Sequence, residues 1–317
     1  MKDKKLILLS PSNTEEKADL LLIVKELELN YLLLPEHKYK IKILSKIINL
    51  IAMIIFCKKY KPSIIFGAPN LNNRITSFFL RIKYITYMRG LHVNSKSLTS
   101  VSDYIYKYLN FISKKSFLIN NYQANYCIVS SSVTKQFLIE RNIEENKIFV
   151  CGPVWLSKVL KVRPTENRIN KSKLIYITQA YKEHRLIDAD LAQQKYILEL
   201  DKFTLKYNYE FYLKVHPRDY TDYSKYNIIN SKPIDFLQEL NLEDIILTPF
   251  STLAFESIYI GANVKFIKFS EFDILYKDVY EKFNIKIENI KNFSFLKTEY
   301  NFPIFNDINL SEIKKIL

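Results

Sequence analysis

The feature that most constrains this chain is an alternation, run through twice, of short apolar segments and longer helical patterns. In the first half the apolar runs are Lys5–Ser10, Tyr31–Leu34, Ser63–Phe66, Tyr84–Tyr87, Tyr126–Ser130 and Ile148–Val150. They are rich in Ile, Leu, Val, Phe and Tyr and are bounded by loop residues, as strands are. Helical patterns fill the gaps at Glu15–Leu29, Ile41–Lys59, Asn73–Ile82, Ser102–Asn120 and Ser132–Arg141. The segment Leu156–Ser172, rich in Lys, Arg and Asn and carrying Pro164, breaks the alternation. A second set of strands then follows at Leu174–Thr178, Phe211–Val215, Asn227–Asn230, Ile245–Thr248 and Val264–Phe269, with helices at Asp188–Tyr207, Pro233–Leu240 and Thr252–Ile260. Such spacing predicts an α/β chain of two doubly wound, Rossmann-like domains facing across a cleft. The first domain is expected over 1–158, a linker over 159–172 and the second domain over 173–317, with the last helix able to pack back on the first domain.

A length of 317 residues suits two domains of about 150 residues each. An apolar share of 48% can fill two cores and argues against disorder. Cys57, Cys127 and Cys151 are odd in number and far apart, and His37, His92, His184 and His216 show no paired spacing. A disulfide framework and a metal cage are both disfavoured, and a reducing cytoplasm fits. The apolar run after Lys5 is too short for a signal peptide. The most apolar window, Ile48–Cys57, is about half of a membrane span and is bracketed by Lys46, Lys58 and Lys59. It reads as a buried helix, with a helix lying on a membrane surface as the alternative.

Charge is uneven. Residues 1–150 hold 23 Lys/Arg against 11 Asp/Glu, and residues 151–317 hold 24 against 22. Between His37 and Ser102 there are 12 basic residues and no acidic one, which predicts a positive surface in the first domain. Neither a G-x-G-x-x-G nor a P-loop pattern occurs, because Gly67, Gly90, Gly152 and Gly261 stand too far apart.

Three constellations follow strands of the second domain, where a doubly wound sheet binds its ligand. In Lys214-Val215-His216-Pro217-Arg218-Asp219, Pro217 biases His216 towards extended backbone and aims its imidazole. In Thr248-Pro249-Phe250-Ser251-Thr252-Leu253-Ala254-Phe255-Glu256, Ser251 and Thr252 open a helix whose N–H groups and dipole favour an anion. Glu256, one turn on, is placed to hold a ribose hydroxyl. In Thr178-Gln179-Ala180-Tyr181-Lys182, Gln179 and Lys182 are candidate donor contacts. Plain helix capping by Ser251 and a solvated loop around Lys182 are the competing readings. Together the three suit a nucleotide phosphate.

These residues carry a resemblance. Lys173–Phe269 resembles the bacterial sialyltransferases and polysialyltransferases of the GT-B fold, in which an HP motif and a later Ser-Ser/Thr motif contact the phosphate of a CMP-activated sugar. The matching residues are His216-Pro217 and Ser251-Thr252, and Tyr176-Ile177-Thr178-Gln179 looks like the opening strand of that group. The resemblance implies an inverting glycosyltransferase without a metal or other cofactor, whose nucleotide-sugar donor binds the second domain. It would pass sialic acid from CMP-sialic acid to a glycan acceptor in capsule, O-antigen or lipooligosaccharide synthesis. Those enzymes carry an acidic D/E-D/E-G motif in the first domain as the base, whereas this chain reads Tyr87-Met88-Arg89-Gly90-Leu91-His92 there. His92 is the nearest candidate base, with Asp103 and Glu36 as others, and Arg89 is a candidate for a carboxylate of donor or acceptor. The triplet Asp188-Ala189-Asp190 opens a predicted helix, so its acids read as dipole partners rather than metal ligands. A lipid-linked acceptor would bring the basic first domain to the anionic inner face of the cytoplasmic membrane. The alternatives are another nucleotide-sugar enzyme of the same fold (a UDP- or GDP-sugar transferase, a CDP-glycerol glycerophosphotransferase or an epimerase) or a basic nucleic-acid-binding protein. The last is disfavoured because the aromatic residues fall in strands and helix cores instead of alternating with basic ones.

Overall fold

The run Ile7-Leu8-Leu9 shows why the apolar segments become strands covered on both sides. Side chains alternate across a strand; Ile7 and Leu9 enter one core cluster, and Leu8 enters another on the opposite face. Each such side chain, buried from water, contributes roughly 1.5–3 kcal/mol to folding. The structure is a computed structural model that describes residues 5–35, 42–90, 124–164, 171–183, 186–207, 209–268, 280–281, 285–289, 295–300 and 308–317, with residues 42–46 and 268 described for backbone alone. The expected helix Ser102–Asn120 lies outside the described residues, as do Glu36, His92 and Asp103.

The chain divides into two compact units, Met1–Trp155 with Phe305–Leu317, and Leu156–Ile304. The first unit contains strands β1 (Leu6–Ser10), β2 (Asn30–Leu33), β3 (Ile64–Gly67), β4 (Lys83–Met88), β5 (Tyr126–Val129) and β6 (Ile148–Val150). They form a parallel sheet in the order β2-β1-β3-β4-β5-β6. Its helices are α1 (Thr14–Glu26), α2 (Lys42–Tyr60), α3 (Leu71–Leu80) and α4 (Ser132–Ile139). Side chains start three of them. Asn13 accepts the Glu16 N–H at 2.8 Å, Asn70 that of Asn73 at 2.9 Å and Ser131 that of Thr134 at 3.1 Å. The Asn70 cap explains why α3 starts two residues before the expected Asn73, and Arg81, in the left-handed region at φ 56°, ends it before Ile82. Leu20, Ile23 and Val24 of α1 cover one face of the sheet, and Met53 and Cys57 of α2 cover the other.

The second unit opens with a short helix, α5 (Leu156–Val159), and Leu156, Val159 and Val162 are buried. The composition of this stretch suggested plain linker; its three apolar side chains give it a packed face instead. Strands β7 (Lys173–Ile177), β8 (Glu210–Lys214), β9 (Asn227–Ile228), β10 (Ile245–Thr248), β11 (Asn263–Lys268) and β12 (Ile287–Asn289) form a second parallel sheet in the order β12-β11-β10-β7-β8-β9. Its helices are α6 (Ile187–Tyr207), α7 (Pro233–Glu239) and α8 (Thr252–Tyr259). Tyr196, Ile197 and Leu200 of α6 pack on Leu174, Tyr176, Leu213, Ile245 and Leu247. From β7 the chain winds outward to β8 and β9, then returns to β7's other side for β10 and β11. The carboxyl ends of β7 and β10 therefore flank the point where winding reverses, the place such sheets keep for ligands.

The last helix, α9 (Leu310–Ile316), belongs to the first unit, and Ile313, Ile316 and Leu317 join the core cluster that holds Ile7 and Leu9. Lys83 donates to the Ile316 carbonyl at 2.6 Å and Lys5 to that of Leu317 at 3.3 Å, so two cations close the negative end of α9. All three cysteines are free and buried. Among the described residues, no helix is long and apolar enough to cross a membrane.

Candidate functional site

In the second unit, three loops leave the carboxyl ends of β7, β8 and β10 and are hydrogen-bonded to one another. Thr178, fully buried just past β7, accepts the His216 backbone N–H on its hydroxyl at 3.0 Å. Gln179 donates from its side chain to the Thr248 hydroxyl at 3.5 Å, and that hydroxyl in turn donates to the Ile177 carbonyl at 3.3 Å. The residues after β7 are thus tied both to the His216 loop and to the strand that leads into Ser251.

His216 is half-buried, and its Nδ1 accepts the Arg218 backbone N–H at 3.2 Å. With Nδ1 an acceptor, the proton of the neutral ring sits on Nε2, which becomes a donor. Pro217 is exposed and fixes the turn. The loop is anchored from below: the Asp219 carboxylate accepts from Tyr223 at 3.1 Å, and Gln193 donates to the Tyr223 oxygen at 3.3 Å. Gln193 also donates to the Gln179 carbonyl at 3.0 Å and accepts its N–H at 2.8 Å. Burial, with the Asp219 carboxylate beside it, pushes the Tyr223 hydroxyl well above its usual value and keeps it a neutral donor.

Ser251 caps α8, with its oxygen accepting the Leu253 N–H at 3.2 Å and its own hydrogen left to donate. Thr252 is the first residue of α8, half-buried at its positive end. Behind this turn Tyr280, itself buried, donates to the Pro249 carbonyl at 2.5 Å. Glu256 lies one turn beyond Thr252 and is buried, 5% exposed. Lys182 is exposed in the turn after β7, next to Glu183, which pairs with Arg218 at 3.5 Å and so bridges that turn to the His216 loop. The arrangement offers an imidazole N–H, a hydroxyl and a helix terminus along one sheet edge, a donor set for a phosphate. Of the Asp188-Ala189-Asp190 triplet, Asp188 is exposed, whereas Asp190 is buried and accepts from Gln194 at 2.8 Å and Thr221 at 3.2 Å. The two carboxylates thus serve different surroundings.

In the first unit Arg89 stands just past β4, and its Nε donates to Asp19 at 2.8 Å while the guanidinium lies 5.8 Å from the Trp155 ring. Tyr87 donates to the same Asp19 oxygen at 3.2 Å. Glu16, 4% exposed in the first turn of α1, accepts from the Ser12 N–H at 3.0 Å and hydroxyl at 2.5 Å, and its Oε1 is buried with no partner among the described residues. Burial raises the Glu16 carboxyl above its ordinary value, against the two Ser12 bonds that lower it. This Glu16, Asp19, Tyr87 and Arg89 cluster escaped the sequence reading, although Asn13-x-x-Glu16 is a visible capping pattern.

No family model and no curated protein sequence matches the chain. Solved structures do. The UDP-GlcNAc 2-epimerase of Methanocaldococcus jannaschii, in complex with UDP-GlcNAc and UDP, superposes with a TM-score of 0.62 at 15% identity, over 98% of this chain and 99% of that one. The UDP-N-acetylglucosamine 2-epimerase of Rickettsia bellii gives 0.59 at 12% identity over 99% and 95%. The glycotransferase of kitacinnamycin gives 0.50 at 8% identity over 93% and 88%. These likenesses, with the two six-stranded parallel sheets, define the fold: two Rossmann-like domains of the GT-B class.

Proposed function

We propose that this chain is an enzyme acting on a nucleotide sugar, with the phosphate held at the carboxyl ends of β7, β8 and β10. The observation that carries this is the linkage of Thr178, Gln179, His216 and Thr248 at the winding reversal, three residues before the Ser251 cap. His216 and Ser251 would stabilise negative charge on the nucleotide phosphate as the sugar bond breaks. The leading form is an epimerase-type enzyme on a UDP-linked amino sugar, supported by the near-complete mutual coverage with the M. jannaschii epimerase. The second form is transfer of sialic acid from CMP-sialic acid onto a surface glycan, with a lipid-linked acceptor reached at the inner face of the cytoplasmic membrane. It is favoured by His216-Pro217 and Ser251-Thr252, which begin two and three residues past the ends of β8 and β10.

The test is thermal stabilisation by CMP, CDP, UMP, UDP and GDP, repeated with His216→Ala. A ligand that binds the folded state raises the melting temperature by mass action. Stabilisation by UDP, lost in His216→Ala, supports the epimerase form. Incubating UDP-GlcNAc in deuterated water without any acceptor then checks it, because inversion that removes the C–H proton to a base and returns a proton from solvent to the other face incorporates deuterium. Stabilisation by CMP alone moves the assignment to sialyl transfer. If no nucleotide shifts the wild type, the phosphate site is wrong.

A further inference from the structure

We propose that the outer face of α2, together with the exposed end of α3, docks on an anionic membrane surface. Helix α2 is apolar around most of its circumference, a composition that usually means burial on all sides. Here Met53 and Cys57 face the sheet, whereas Ile47, Ile51 and Ile55, spaced by four on the other side, are 51%, 52% and 62% exposed. Helix α3 packs beside α2 and ends in Phe78 and Phe79, 51% and 71% exposed with rings 5.6 Å apart. A row of three exposed isoleucines on α2 and a pair of exposed phenylalanines on the adjacent α3 are more than singly scattered surface residues.

The charge around this patch selects the occupant. Lys58, Lys59 and Lys61 are exposed at the carboxyl end of α2, and Arg81 follows the Phe pair. Beside Phe78 and Phe79 opens a pocket of about 800 Å³ lined also by the exposed Arg81, whose charge suits an anionic headgroup. The acid-free stretch from His37 to Ser102 contains all of these residues. A second copy docked on this face would set like charges against each other. A nucleic acid would meet the cations but leave the isoleucines wet. An anionic bilayer takes both, with Ile and Phe at the acyl boundary and Lys and Arg among the headgroups. Docking does not depend on which nucleotide sugar the second unit takes.

The test is flotation of the full chain with vesicles of phosphatidylcholine alone or mixed with phosphatidylglycerol. Binding is expected only with phosphatidylglycerol and is expected to fall as salt is raised. Ile51→Ser with Ile55→Ser, and separately Lys58→Glu with Lys59→Glu, are each expected to weaken it about ten-fold or more, since a single surface Lys is worth about five-fold. All four positions are exposed, so melting temperature serves as the folding control, and Phe79→Ser on α3 replaces the isoleucine pair if that variant fails to fold. The proposal is overturned if the wild type ignores phosphatidylglycerol vesicles at low salt, or if both double variants bind as the wild type does. It is also overturned by equal binding to pure phosphatidylcholine. Self-association that Ile51→Ser with Ile55→Ser abolishes, without vesicle binding, assigns the face to a second copy instead.

Discussion

The Thr178 hydroxyl accepts the backbone N–H of His216 at 3.0 Å, so a buried side chain at the end of β7 sets the position of the histidine that follows β8. Thr178→Val keeps the shape and removes the hydroxyl that accepts this N–H. The expected cost is about 1–3 kcal/mol in urea unfolding. Nucleotide-induced stabilisation should fall with it, because the imidazole loses its fixed base. Thr178→Ser retains the oxygen and is expected to recover most of both. A Thr178→Val variant that binds nucleotide like the wild type would show that the loop is held by its other contacts, Asp219 with Tyr223 and Arg218 with Glu183.

Gly67 permits the close approach of β3 to β1 in the first unit. A Cβ at this position would stand 2.1 Å from the Ser10 carbonyl oxygen, which also accepts the Ala68 N–H at 3.2 Å. Gly67→Ala must therefore push the two strands apart or displace that bond, at a cost of about 1–3 kcal/mol or more. Gly90→Ala is the control, since nothing among the described residues lies within 4 Å of its Cβ position, and surface-like changes of that kind stay within about 0.5 kcal/mol. Parallel urea titrations of the two variants check the contrast.

Much of the fold was legible because its strands are dense apolar runs. Ile64-Ile65-Phe66 and Ile245-Ile246-Leu247 are strands by composition alone, and both are fully buried. Strand β12 was not legible, since Ile287-Glu288-Asn289 is three residues long and mostly polar. The second sheet's order was not legible either, because it depends on where β10 inserts beside β7. At the candidate site the residues that follow strands could be named from sequence, but not what holds them. Gln193 lies fourteen positions from Gln179, on α6, and nothing local marks it as that residue's partner. Arg89 read as a candidate for a donor or acceptor carboxylate. In the structure its Nε bonds Asp19, seventy positions away on α1, and no local pattern marks that partner.

Lys265 is buried in the second sheet, 1% exposed, and its ammonium donates to Glu288 at 3.3 Å and to Thr298 at 2.5 Å as well as to the Leu296 carbonyl. Burial lowers its pKa and the Glu288 carboxylate works in the opposite direction. Glu288→Ala leaves a buried cation without its counter-charge and is expected to cost about 3–5 kcal/mol. Replacing both partners, with Lys265→Met and Glu288→Leu, is expected to cost much less than Glu288→Ala alone. A thermodynamic cycle over the single and double variants measures the difference.

Glu16 supplies a pH signature. Its folded pKa is raised above 4.5, chiefly by burial, so the folded state holds this proton more tightly than the unfolded chain does. Stability from protonated Glu16 is fully present below 4.5 and is lost as pH rises through the higher folded value. Above its folded pKa the residue is a buried carboxylate with one oxygen unpartnered among the described residues, and its ionised form detracts from stability. Glu16→Gln keeps an acceptor for the Ser12 N–H and hydroxyl and carries no charge. It is expected to melt higher than the wild type at neutral pH, with the gap closing as pH falls towards 4.5. Melting curves for the two proteins between pH 7 and pH 4.5 read this directly. A constant gap would mean that the carboxyl does not titrate in this range, and a lower melting temperature for Glu16→Gln at neutral pH would mean that the ionised form is held by favourable contacts stronger than its burial cost.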